Sequence, residues 1–115
     1  MKITNQKIEI SKIIKNINVE GLEISKYHRK PKTFAKLPAI TYFQTKDFVK
    51  SFFNKENEEK VSFQVDIWAN NGSELSKVVK ATKEIFLLNN YYIINGYDFE
   101  DPSGIDRYIL EIDRR

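Results

Sequence analysis

Val61-Ser-Phe-Gln-Val-Asp-Ile-Trp-Ala69 alternates along its length. Val61, Phe63, Val65, Ile67 and Ala69 fall on one side, and Ser62, Gln64, Asp66 and Trp68 on the other. A period of two with β-branched and aromatic residues predicts a strand with one face in a core. Asn70, Asn71 and Gly72 stop it, and the period then changes. Leu75, Val78, Val79, Thr82, Ile85 and Phe86 recur at helical spacing, which predicts an amphipathic helix to about Leu88. Ser73 is the expected N-cap, with Glu74 near the positive end of the helix. Asn89 and Asn90 close it.

Beyond that helix, Tyr91 to Glu100 predicts a strand, with a bulge expected at Gly96. Asp101-Pro-Ser-Gly104 is a turn signal: proline presets φ and glycine relieves strain. Ile105 to Ile112 returns as an antiparallel strand. Upstream, Ile10, Ile13, Ile14 and Ile17 lie on one face of a helix expected over 3–17. Thr4 is its expected cap, with Ile3 and Ile8 as a hydrophobic staple. Leu22 to Tyr27 suits a short strand, and 28–36 is a basic loop without periodicity. Ala39 to Phe53 is rich in aromatic and β-branched residues; its first half reads as a strand, its second half is ambiguous. The charged run 54–60 reads as a turn. The expectation is one α+β domain over 1–115: a mostly antiparallel sheet of four to five strands with two helices packed on one face.

The bulk numbers suit such a domain. The chain has 115 residues, 41% of them hydrophobic and 30% charged. The formal net charge of +3 is a mild excess. A nucleic-acid-binding domain ordinarily shows a more one-sided balance. The absence of cysteine excludes disulfides, thiolate metal sites and cysteine nucleophiles. No apolar run reaches the roughly 18 residues of a membrane span, and the first residues lack the apolar core of a signal peptide. The expected product is soluble, intracellular and without a membrane partner.

Catalytic chemistry finds few candidates. His28 is the one histidine, and Tyr27 and Arg29 beside it supply neither nucleophile nor orienting acid. Zinc sites want several His or Cys ligands. Asp98, Glu100, Asp101 and Asp106 flank one hairpin, but Pro102 breaks the spacing of a calcium loop. Four glycines leave no phosphate cradle. The expectation is a protein that is not an enzyme and has no cofactor or metal. Trp68 stands out among polar neighbours on its strand face. It is expected either beneath a covering terminal segment or at an interface, where tryptophan is enriched. Tyr42 and Tyr108 pose the same question.

Leu37-Pro-Ala-Ile-Thr-Tyr-Phe43 resembles the opening motif of small phage tail-terminator and head–tail joining proteins. Phe63-Gln-Val-Asp-Ile-Trp-Ala69 is similar to their central strand, which leads through a polar loop into a helix. Tyr92 to Gly96, Asp101 to Gly104 and Arg107 to Ile112 resemble the family's ending in order and spacing. The likeness covers roughly 8–112. It implies an α+β fold and a homo-hexameric ring that caps the tail tube, ends its polymerisation and meets a head-side connector. It also implies DNA only in passage, and assembly in the host bacterial cytoplasm into a virion or tail-like particle.

A ring of head-to-tail contacts needs two different patches per subunit. Exposure arguments nominate Trp68, Tyr42, Tyr108 and the basic loop residues His28, Arg29, Lys30 and Lys32. The alternative is a nucleic-acid-associated module using loop 26–36, with Tyr27 stacking on bases. A third reading, an enzyme built on the acidic hairpin, lacks a base–nucleophile pair.

Overall fold

The computed structural model of the chain describes residues 6–49 and 59–114. The expected Thr4 cap, the Ile3 half of the staple and most of the charged turn lie outside them. Helix α1 spans Gln6–Lys15, followed by strands β1 (Ser25–His28), β2 (Ala39–Val49) and β3 (Glu59–Ala69). Helix α2 spans Gly72–Leu88, and strands β4 (Tyr91–Glu100) and β5 (Asp106–Arg114) complete the chain. The ambiguous half of the aromatic segment therefore continues β2 as far as Val49. Strand β1 starts three residues later than its alternation suggested, because the chain first turns at a Val19–Leu22 bridge.

The five strands form one sheet in the order β1-β2-β3-β5-β4. Strands β2–β3, β3–β5 and β5–β4 pair antiparallel, but β1 lies parallel to β2. The sheet is thus mixed, which corrects the mostly antiparallel expectation. The reason lies in residues 29–38. A tight hairpin would have reversed the chain. Instead this segment carries it back along the sheet, so that β2 runs in the direction of β1. The bulge in β4 falls between Ile93 and Asn95, one turn of the pleat before Gly96. Gly96 has its own reason to be glycine: a Cβ there would stand 2.9 Å from Tyr108 Oη and 3.1 Å from Leu110 Cδ2.

One buried cluster unites Phe63, Val65 and Ile67 of β3 with Ile40, Leu110 and Ile112 of the neighbouring strands. Ile10, Ile13 and Ile14 of α1, Ile17 just after it, and Leu75, Val78, Val79 and Phe86 of α2 belong to the same cluster. The stripes read from helical spacing are therefore the buried ones. Tyr91 is fully buried, sets its ring against Phe86, and donates its hydroxyl to Glu9 Oε1 at 3.0 Å. Glu9 also takes Arg114 at 3.4 Å, so one carboxylate of α1 ties the start of β4 to the end of β5. The cap of α2 is Asn71, whose side chain accepts from Glu74 N–H at 2.9 Å. Ser73, the expected cap, already lies inside the helix. Asn89 caps the other end, and Asn90 follows at φ 65, in the left-handed region.

Candidate functional site

Register fixes what the second sheet face carries. Ala39, Thr41 and Phe43 of β2 stand opposite Trp68, Asp66 and Gln64 of β3. Trp68 and Asp66 in turn stand opposite Arg107 and Ile109 of β5, and these opposite Phe99 and Tyr97 of β4. Tyr27 of β1 pairs with Thr41. Because paired residues share a face, these side chains form one surface, turned away from Phe63, Val65 and Ile67.

Trp68 is 0% exposed. Phe34, the sole phenylalanine of loop 29–38, lies over it with ring centroids 5.0 Å apart. The indole N–H donates to Thr41 Oγ1 at 3.0 Å. Trp68 is thus covered within the subunit, but by an internal strap in place of the expected terminal segment, because the loop between β1 and β2 must cross this face to return the chain parallel. Arg107 sits on the indole's other flank, its guanidinium 4.4 Å from the Trp68 ring centroid and 4.9 Å from that of Phe99. A row therefore crosses the sheet: Phe99, Arg107, Trp68, Phe34, Tyr27, the last two at 6.0 Å. Each cation–ring contact of this kind contributes roughly 0.5–2 kcal/mol.

Arg107 is held by Asp66 at 2.5 Å and by Asp101 at 3.3 Å. The Ser103 hydroxyl donates to Asp101 and is the main reason its carboxyl sits below the usual range; Lys30 and Arg107 add to this, and burial opposes it. This arrangement went unseen in the sequence. Asp66 read as an ordinary polar position, and nothing in the spacing of Arg107 names its partner across β3. A lone phenylalanine in a basic loop was the available signal for the strap.

The other nominated residues scatter. Tyr42 lies on the core face, half-buried, with the His28 ring 5.2 Å away. Tyr108 also packs on the core and receives Lys83 Nζ at 3.1 Å on its hydroxyl. Lys30 reaches over Trp68 at 5.1 Å. Lys26 Nζ donates to Lys15 O at 2.8 Å, and Lys36 pairs with Glu23 at 3.0 Å. The basic loop is thus partly engaged within the chain, while His28, Arg29 and Lys32 are exposed. The hairpin carboxylates diverge: Asp101 turns inward to Arg107, and Asp98 and Glu100 face solvent. Among the described residues, no group of three or more His, Cys, Asp or Glu is placed to hold a metal. A shallow hollow of about 530 Å³ is lined by Leu22, Glu23, Lys36, Pro38 and Glu74, with its lysine already paired to Glu23. No helix among the described residues is long and apolar enough to cross a membrane.

What remains open is the pair of sheet edges. Strand β4 has β5 on one side and no strand on the other among the described residues. From Ile94 to Glu100 every residue is exposed, with Ile94 at 52%, Tyr97 at 40% and Phe99 at 41%. Strand β4 contains neither lysine nor proline; its edge is modified by the bulge after Ile93 and by the charges of Asp98 and Glu100. At the opposite side β1, with no strand beyond it among the described residues, offers a shorter edge, Ser25-Lys-Tyr-His28, with one lysine, half-buried as far as Tyr27 and exposed at His28. No family model matches the chain, and no curated protein matches it.

Proposed function

We propose that this protein is a structural part of a phage or phage-derived tail, a ring that caps the tail tube and joins it to the head side. The observation that carries the reading is the pair of unlike open edges. A closed ring of identical subunits needs a patch and a different, complementary patch on each one. The exposed apolar edge of β4 and the shorter edge of β1 are two such patches, and strand addition is a common way to use them. The motif resemblance supplies the particular assembly: a homo-hexamer, a tail-tube partner, a head-side connector and DNA only in passage. In this reading α1 and α2 together cover the core face, which leaves the strapped face and the edges for contacts. The protein acts by assembling and turns nothing over.

The test has two parts. Electron microscopy of the purified protein at high concentration should show closed rings, of about six subunits if the resemblance holds. Added to polymerising tail-tube protein, it should shorten the tubes and be found at their ends. Monomers that leave tube length unchanged would remove the reading.

A further inference from the structure

The two edges fit one another, and the fit selects a register. Strand β1 runs with β2 and β5, whereas β3 and β4 run the other way. A second copy set beside the first with its sheet faces aligned therefore brings β1 antiparallel to β4. Matching faces restricts the pairing further. On the core side β1 carries Lys26 and His28, and β4 carries Gly96, Asp98 and Glu100. On the second side they carry Tyr27 and Phe99. One register sets Lys26 opposite Glu100, Tyr27 opposite Phe99 and His28 opposite Asp98. A slip of two residues one way keeps Lys26 opposite Asp98 and Tyr27 opposite Tyr97 but leaves His28 facing Gly96 and Glu100 without a partner on β1; the other way, Lys26 faces Pro102 in the turn. Within the chain the Asp98 and Glu100 side chains form no ion pair among the described residues, and the half-buried Lys26 ammonium spends one of its three N–H donors on Lys15 O, which leaves two for a partner's carboxylate.

We infer that β4 of one subunit adds to β1 of the next copy in this register, so that the sheet continues from subunit to subunit. The inference rests on the ring reading and names the contact that builds it. Opposite charges and an aromatic pair directly across an antiparallel ladder are its sources of specificity. The acidic pair on β4 also disfavours the registers of β4 with β4 of another copy in which Asp98 or Glu100 would face a second carboxylate.

Charge exchange tests it without depending on any ligand. Within one subunit Lys26 and Glu100 lie four strand spacings apart, about 19 Å, so neither reaches the other except through a neighbour. Lys26→Glu and Glu100→Lys should each raise the concentration needed for assembly by about tenfold or more. The double variant should return it toward the wild-type value. For the register, the cysteine-free chain is given His28→Cys with Asp98→Cys and treated with a short bifunctional maleimide. A ladder of cross-linked oligomers is expected, and a much weaker one from His28→Cys with Glu100→Cys. A wild type that forms rings, single variants that assemble unchanged and no ladder would overturn the edge contact while leaving the ring. A wild type that stays monomeric at every concentration would overturn both.

Discussion

Trp68 shows how much one side chain depends on elements remote in the chain. Its place on β3 was legible from alternation, but its surroundings were not. Phe34 comes from the strap, Thr41 from β2 and Arg107 from β5, and only the sheet order brings them together. Trp68→Ala should cost roughly 3–5 kcal/mol of subunit stability in urea unfolding, the range for emptying a large buried site. Asp66 is the second test at this scale. It is 2% exposed and holds a guanidinium wedged between two rings. Asp66→Ala leaves that cation with Asp101 alone and should cost about 3 kcal/mol. Tyr91 gives a pH signature. Burial first, then its hydrogen bond to Glu9, raises the phenol above its ordinary value of 10.0. The folded state thus favours the neutral form. This contribution is complete below about pH 10 and is lost as pH rises beyond it, because the unfolded chain ionises first. Tyr91→Phe should lose about 1 kcal/mol at neutral pH and decline less steeply in alkali, as read by denaturation at a series of pH values.

The elements themselves were mostly legible, since hydrophobic period is a local property. The α2 stripe and the β3 alternation stand where the spacing puts them. Their ends depend on competing polar side chains, and there Asn71 prevails over Ser73. Asn71 keeps an extended backbone, φ −155 and ψ 164, from which its side-chain Oδ1 accepts from the Glu74 amide. Asn71→Ala should lower the thermal midpoint by a stability loss of about 1 kcal/mol, whereas Ser73→Ala should leave it within about 0.5 kcal/mol. The parallel pairing of β1 was beyond a local reading. Segment 29–38 has the composition of an exposed loop, and six of its residues are exposed. Its single phenylalanine gains a burial site only if the segment lies across the sheet, which is a property of the folded chain.

At the scale of the whole molecule, the described residues spend their interior polar groups on holding the sheet together. Arg107 is committed to Asp66 and Asp101, and Glu9 to Tyr91 and Arg114. The apolar surface left over concentrates on β4, at Ile94, Tyr97 and Phe99, and at the end of α2, at Leu87 and Leu88. Exposed apolar side chains along a free strand edge favour pairing with another chain, and the proposed ring would use them. In the proposed ring the contact residues shift from those the exposure argument named. Trp68 serves inside the subunit, while His28 keeps a place at the β1 edge beside Lys26 and Tyr27. Sedimentation velocity of the intact protein across a wide concentration range tests this most directly. Self-association through β1 and β4 predicts a closed species near six subunits that grows with concentration and stops there. A single monomeric boundary at every concentration, with or without tube protein, would contradict it.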